Sequence, residues 1–253
     1  MFTKAIVRKP CKNLASGITT ANMGLPEYSK ALLQHENYIN VLQDCGLKVI
    51  IMEADDNYPD STFIEDTALL TPKCAIIMKP GAQSRRGETT AIAELLKDHF
   101  ENIEAISEPG TIEAGDIMMV GKHFYIGLSE RTNEAGADQL IDILLKYGMT
   151  GSKVKLNKVL HLKTGLSYLE KNNLVISGEF LNHEEFKKFN QIKIKKEEGY
   201  AANCIWVNDT VLVPEGFPKS KKAIEQAGYK TIEINVSEFQ KLDGGLSCLS
   251  LRV

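Results

Sequence analysis

Asp116 to Lys146 reads DIMMVGKHFYIGLSERTNEAGADQLIDILLK. Two short apolar runs flank a Gly-Lys pair, which predicts a hairpin. A polar loop with Arg131 follows, then a segment with apolar residues at Ala137, Leu140, Ile141, Leu144 and Leu145, the spacing of an amphipathic helix. Asp66 to Lys97, DTALLTPKCAIIMKPGAQSRRGETTAIAELLK, has the same order. Asp, strand, turn, strand, basic loop and helix recur, with Arg85 standing where Arg131 stands.

Three further units extend the pattern. From Asn203, CIWVNDTVLV predicts a hairpin closed at Asn208-Asp209, followed by a loop with Pro218 and the helix SKKAIEQAG. Leu166 to Phe189 offers a fourth unit, with Asn172-Asn173 between LSYLE and LVISG. The fifth pairs the strand KAIVR with a helix around Ala31 to Leu42 and the strand LKVIIM. Repeats of one strand-and-helix unit at roughly 40 to 50 residues imply a radial or solenoid array, not a two-domain split. No linker or low-complexity segment interrupts residues 1–253, so a single domain is expected.

With 43% hydrophobic and 25% charged residues, the chain has the composition of a soluble globular protein that buries a sizeable core. Its net charge of -3 is spread along the sequence, with no basic arm or stripe for nucleic acid or a membrane surface. The start, MFTKAIVRKPCKN, has no apolar signal core, and no run approaches the roughly 18 apolar residues of a membrane span. Five scattered cysteines, an odd number, fit free thiols in the cytoplasm. No paired Cys or His spacing suggests a metal site, and no cofactor is expected.

A thiol nucleophile needs an acid or base within reach, and that group needs an orienting carboxylate. Cys248 lies in DGGLSCLS, where Gly244-Gly245 can bring the chain close to a ligand. Cys74 and Cys204 fall in apolar strands and Cys45 ends a helix before Gly46, settings of buried, inert thiols; Cys11, in a loop, stays open. His161 lies in VLHLKT, and Glu113 and Asp116 flank Ala114-Gly115. Asp60, Phe63, Glu65 and Asp66 place carboxylates beside an aromatic ring at a strand entrance, which suits a planar guanidinium or a solvated acidic loop equally.

DSTFIEDTALLT, KPGAQSRRGET, PGTIEAGDIMMVGKHFYIGLSERTN, VLHLKTGLSYLE, YAANCIWVN and DGGLSCLSLRV together resemble the dimethylarginine dimethylaminohydrolases, bacterial type, over essentially the whole chain. The resemblance implies the pentein fold, a five-bladed α/β propeller of five ββαβ units around a pseudo-fivefold axis. It implies hydrolysis of Nω,Nω-dimethylarginine or Nω-monomethylarginine to citrulline and an amine, through a covalent thiouronium on Cys248. By the same resemblance His161 is acid and base, Glu113 holds His161, and Asp66 grips the guanidinium with Glu65 in support. Arg85 and Arg131 would take the substrate carboxylate, and Asp60 with the backbone carbonyls of Ile18 and Leu242 its ammonium; Phe63 would line the pocket. Relatives include homodimers, and no interface is readable in the sequence.

Two departures avoid the chemistry: Ile18 replaces a common Leu, and Lys79 stands where Arg is usual before Pro80-Gly81. The glycine- and threonine-rich NLASGITTANMG suits a lid or an ordinary exposed loop. The nearest alternative is arginine deiminase, which resembles an H-x-D pattern; here the tripeptide is His161-Leu162-Lys163. The missing carboxylate leaves room for methyl groups and favours a methylated substrate. A more distant alternative is a non-catalytic binding protein on the same propeller, which would have no use for the full set of residues.

Overall fold

The computed structural model describes residues 1–253. Its strands form five separate three-stranded sheets. In each sheet the middle strand pairs antiparallel with one neighbour and parallel with the other, the parallel partner being reached by a crossover that folds back over the sheet. This is the ββαβ arrangement the resemblance implies, present in five blades, one of which has 3-10 turns in place of its helix.

Blade 2 contains β3 (Ala68–Leu70), β4 (Ala75–Ile77), helix α2 (Thr89–Lys97) and β5 (Ile103–Ala105). Blade 3 contains β6 (Ile117–Val120), β7 (His123–Leu128), α3 (Glu134–Lys146) and β8 (Thr150–Lys155). Asp66 and Asp116 sit in equivalent 3-10 turns at the entrances of β3 and β6. The Asn133 side chain accepts from the Gly136 N–H and caps α3, which buries Ala137, Leu140, Ile143 and Leu144. The helical face is therefore rotated slightly from the expected one, and Leu145 is exposed.

Blade 5 joins β12 (Ile205–Val207) and β13 (Thr210–Pro214) through Asn208 and Asp209, both at positive φ as a tight hairpin requires. Pro218 opens α4 (Pro218–Gln226), where its missing N–H costs no helical bond, and β14 (Lys230–Ile234) follows. Blade 4 has β9 (Leu166–Tyr168), β10 (Asn173–Ile176) and β11 (Asn190–Lys193). Its crossover contains no α-helix, only 3-10 turns at Gly178–Asn182 and Glu184–Phe186.

Blade 1 closes the ring. Its β1 (Lys4–Arg8), α1 (Tyr28–Asp44) and β2 (Lys48–Met52) come from the N-terminal part, while its inner strand, antiparallel to β1, is β15 (Leu251–Arg252) near the C-terminus. The pairing of Ala5 with Arg252 places Cys248, four residues earlier, beside the ring axis. Core side chains form five clusters, each shared between adjacent blades, including one that joins blades 5 and 1 through Val7, Leu42, Val207 and Phe239. Burial between neighbours, not one central core, holds the ring together. No helix is long and apolar enough to cross a membrane.

Candidate active site

Loops that enter the inner strands of the blades converge at one end of the axis. They line a narrow cavity of about 40 Å³ with Ile18, Asp60, Phe63, Asp66, Arg85, Glu113, Arg131, His161, Leu242 and Cys248, together with Leu160, Asp243 and Gly244. Residues separated by up to 230 positions thus meet because loops on both sides of the blade hairpins reach the same end of the axis.

His161 Nε2 lies 2.7 Å from Glu113 Oε2, and Glu113 is fully buried. Its other oxygen accepts from the Ala82 N–H at 3.3 Å and faces Arg131 Nη1 at 3.5 Å. Burial by itself would disfavour the imidazolium, but Asp66, Asp116 and Glu113 outweigh it and hold the His161 pKa up at about 9. His161 is therefore charged at neutral pH and can give up a proton. The Gly115 backbone lies against the ring, since a Cβ there would stand 2.8 Å from His161 Nδ1 and 2.9 Å from Asp66 Oδ1.

Asp66 accepts from the Gly115 N–H at 3.0 Å and from Arg85 Nη1 at 2.7 Å. Burial opposes its ionisation, but His161 and Arg85 override that and keep the pKa below the usual carboxylate range. Arg85 is itself buried and satisfied on all sides: Glu88 takes Nε and Nη2, and the Phe63 carbonyl accepts from Nη2 at 3.0 Å. Its guanidinium is thus already engaged by carboxylates, and a substrate carboxylate would have to share it. Glu88, whose pKa burial pushes up to about 7, was missed in the sequence; its signal was the i,i+3 spacing from Arg85.

Cys248 follows a turn in which the Gly245 N–H points at Sγ from 3.4 Å. Burial pushes the thiol up to about 12, with the Glu65 and Asp66 carboxylates adding to the effect and the Gly245 N–H opposing it. Cys248 is a neutral thiol in the free protein. Neither Gly244 nor Gly245 has positive φ; the left-handed residue is Asp243, at φ 58°. These glycines are needed for close approach, because a Cβ at Gly244 would collide with the Phe63 ring and one at Gly245 would stand 2.5 Å from Asn203. Asn203, also missed, pins the turn by accepting from the Ser247 N–H at 3.0 Å and donating to the Ser247 hydroxyl and the Lys163 carbonyl.

Asp60 accepts from the Ile18 N–H at 3.0 Å. The loop beyond Ile18 is tied to the segment that precedes Cys248: the Thr20 N–H and hydroxyl donate to Asp243 Oδ2 at 2.6 and 3.0 Å, and the Thr19 hydroxyl donates to the Lys241 carbonyl at 2.9 Å. Asp116, fully buried, links the two loops that carry Arg131 and His161, accepting from the Ser129 and Thr132 hydroxyls at 2.7 Å and from the Leu162 N–H at 2.9 Å.

Glu65 is the exception among the expected residues. It faces away from the cavity and forms an ion pair with Lys163 at 2.6 Å on the far side of the floor. The other cysteines are free; Cys74 and Cys204 are buried one residue before β4 and β12, and burial raises the thiol pKa of both. Burial also raises Cys11, and of the five thiols Cys248 is the one that lines the cavity with His161. Asp66, Glu113 and His161 bring ligand-type atoms within 4.8 Å of one another, but Arg85 and Arg131 lie against these carboxylates and would oppose an added cation.

The family model for N,N dimethylarginine dimethylhydrolase, eukaryotic, matches residues 25–250. An N(G),N(G)-dimethylarginine dimethylaminohydrolase of Pseudomonas aeruginosa is 53% identical over the full length of both chains. The chain belongs to the dimethylarginine dimethylaminohydrolase family. A second relative of that name, from Streptomyces coelicolor, is 30% identical over 99% of this chain and 96% of its own. Two crystal structures of dimethylarginine dimethylaminohydrolase, each 53% identical over the full length of both chains, superpose with a TM-score of 0.99. One is a His→Gly variant as an adduct with S-methyl-L-thiocitrulline; the other is a Cys→Ser variant from Pseudomonas aeruginosa complexed with citrulline. The N-terminal domain of ArgZ, a cyanobacterial arginine dihydrolase, shares the fold at 18% identity and a TM-score of 0.89.

Proposed function

We propose that residues 1–253 act as one catalytic domain that hydrolyses Nω,Nω-dimethyl-L-arginine, and Nω-monomethyl-L-arginine, to L-citrulline and dimethylamine or methylamine. The observation that carries the residue roles is the meeting of a neutral thiol, a charged His161–Glu113 pair and the ionised Asp66 in one cavity.

The substrate guanidinium is held by Asp66, and its positive charge next to Sγ favours the thiolate, so binding expels the Cys248 proton to water. The thiolate forms an S–C bond to the guanidinium carbon. His161 protonates the dimethylamino nitrogen, the C–N bond breaks, and neutral dimethylamine leaves a cationic thiouronium. The resulting neutral His161 takes a proton from water as its oxygen attacks the same carbon. The C–S bond then breaks, and the hydroxyl proton returns to sulfur as citrulline forms. Glu113 stabilises each imidazolium stage. Arg85 and Arg131 hold the substrate carboxylate, while Asp60 and the Ile18 and Leu242 carbonyls receive its ammonium; Phe63 packs beside the substrate chain, and Glu65 supports the guanidinium end from behind the floor.

Arginine deimination is disfavoured at the third residue of His161-Leu162-Lys163. Lys163 is ion-paired with Glu65 and offers no carboxylate to a second guanidinium nitrogen. Five free cysteines suit a reducing cytoplasm, where we place the enzyme. The test is to incubate purified protein separately with asymmetric dimethylarginine and with arginine, and to measure citrulline and dimethylamine. Citrulline and dimethylamine in equal amounts from the methylated substrate are expected; citrulline formed from arginine at a comparable rate overturns the assignment.

A further inference from the structure

Behind the floor of the active-site cavity lies a second cavity, of about 140 Å³, that runs along the ring axis. All five blades wall it with their inner strands, β15, β3, β6, β9 and β12. The wall between the two cavities is one residue thick. Asp66, Glu113 and Cys248 face the site, while their chain neighbours Glu65, Ala114 and Ser247 face the channel.

The channel is mostly apolar, with Leu69, Met119 and Trp206 among its walls, yet one polar group in it is unsatisfied. Glu65 is 4% exposed; its Oε1 takes Lys163 at 2.6 Å and Arg252 at 3.6 Å, but its Oε2 has no hydrogen-bond partner. A buried carboxylate oxygen without a donor is costly, so the place calls for a small donor ligand. One Lys163 N–H is used by Glu65, and the ammonium has two others to give.

Dimethylamine has matching chemistry. At the moment of release it is neutral, with one N–H to donate, one lone pair to accept and two methyl groups that prefer apolar walls. A cavity of roughly 150 Å³ can hold a six-carbon ring, so three heavy atoms fit. The front is unsuited to this traffic. The amine departs while the thiouronium still holds the amino-acid portion in the front cavity, under a loop tied to Asp243 by Thr19 and Thr20.

We propose that the axial channel is the exit for the amine released at Cys248, which passes the floor where the Glu65–Lys163 pair parts and meets Glu65 Oε2 and Lys163 Nζ as its first binding point. The inference rests on the hydrolysis described under Proposed function, and it assigns Glu65 to the leaving group's route and not to direct contact with the guanidinium.

Leu69→Trp and Met119→Trp narrow the channel without touching the front cavity. The parent enzyme is first assayed with dimethylarginine; no citrulline there would defeat the hydrolysis itself and not the channel. With turnover established, the variants should lose about 5-fold or more in kcat for dimethylarginine and less for monomethylarginine, because release of the bulkier amine becomes limiting. Alkylation of Cys248 by iodoacetamide should proceed at the parent rate. Unchanged kcat, or equal losses on both substrates, overturns the proposal. If neither variant folds, crystals of the unaltered protein with citrulline are soaked in dimethylammonium chloride. A three-atom density within hydrogen-bond reach of Glu65 Oε2 supports the exit, and a channel holding only water overturns it.

Discussion

The two ends of the ring axis are built from adjacent residues and do opposite things. At the front, loops supply Asp66, His161 and Cys248, whose ionisation is displaced by burial and by neighbouring charges, with Glu113 bonded to His161. At the back, short strands supply a fixed, mainly apolar wall around the Glu65–Lys163 pair. Chemistry sits on the loops because their side chains can converge from any blade, while the strands hold the loop ends in place. The same 3-10 turn turns Glu65 to one end and Asp66 to the other, so a single residue step separates the two roles.

Substitutions on either side of that wall sharpen the contrast. Cys248→Ser should lower turnover by roughly three orders of magnitude or more with little change in thermal stability; steady-state kinetics with calorimetry measures both, and a loss no larger than that caused by closing the channel would erase the distinction between the ends. Glu113→Gln should lower kcat by roughly 10²-fold. Because His161 loses one of the three anions, after Asp66 and Asp116, that together hold its pKa at about 9, the imidazolium needed as acid would be lost at lower pH. The alkaline limb of the kcat profile should therefore move acidward, and an unmoved limb would remove Glu113 from this role.

Asp116→Asn tests how the front is held. The buried carboxylate joins the Arg131 loop to the backbone after His161, and hydrogen bonds to a charged group contribute about 1.5–3 kcal/mol. KM should rise and kcat fall by about 10-fold each at that magnitude. A change in KM alone would confine Asp116 to the Arg131 loop.

The smallest effect lies away from both ends. His35, on α1 against Phe239, is held neutral by burial, its pKa lowered from 6.5 to about 4. Between those values the unfolded chain takes up a proton that the folded chain refuses, so stability falls as pH drops, by up to about 1.4 kcal/mol per pH unit. Relative to the parent, His35→Leu should flatten that decline in urea titrations from pH 6.5 to 4, with turnover at neutral pH unchanged.

Much of this architecture is legible in the residues. The parallel between Asp66–Lys97 and Asp116–Lys146 holds down to the turns that carry both aspartates. Blade 4 is less regular than its strands suggest, because FLNHEEFKKFNQ has no helical periodicity and its crossover winds as 3-10 turns. The closing strand Leu251–Arg252 is too short to announce a pairing with Lys4–Arg8, which depends on the ring being complete. Ten of the expected site residues meet in one cavity, since their loops precede the inner strands or follow the middle strands paired with them. Glu65 escaped because facing within a tight turn follows from the axis, not from spacing. Glu88, Asn203 and the linking role of Asp116 escaped because each acts through another residue and has no chemistry of its own to advertise.

The account rests on a covalent bond at one sulfur. Turnover of dimethylarginine quenched in acid within the first cycles, followed by intact mass measurement and peptide mapping, reads it directly. The expected result is a thiouronium adduct on the C-terminal peptide that carries Cys248, absent from Cys248→Ser. An adduct on Cys11, Cys45, Cys74 or Cys204, or full turnover by Cys248→Ser, would contradict it.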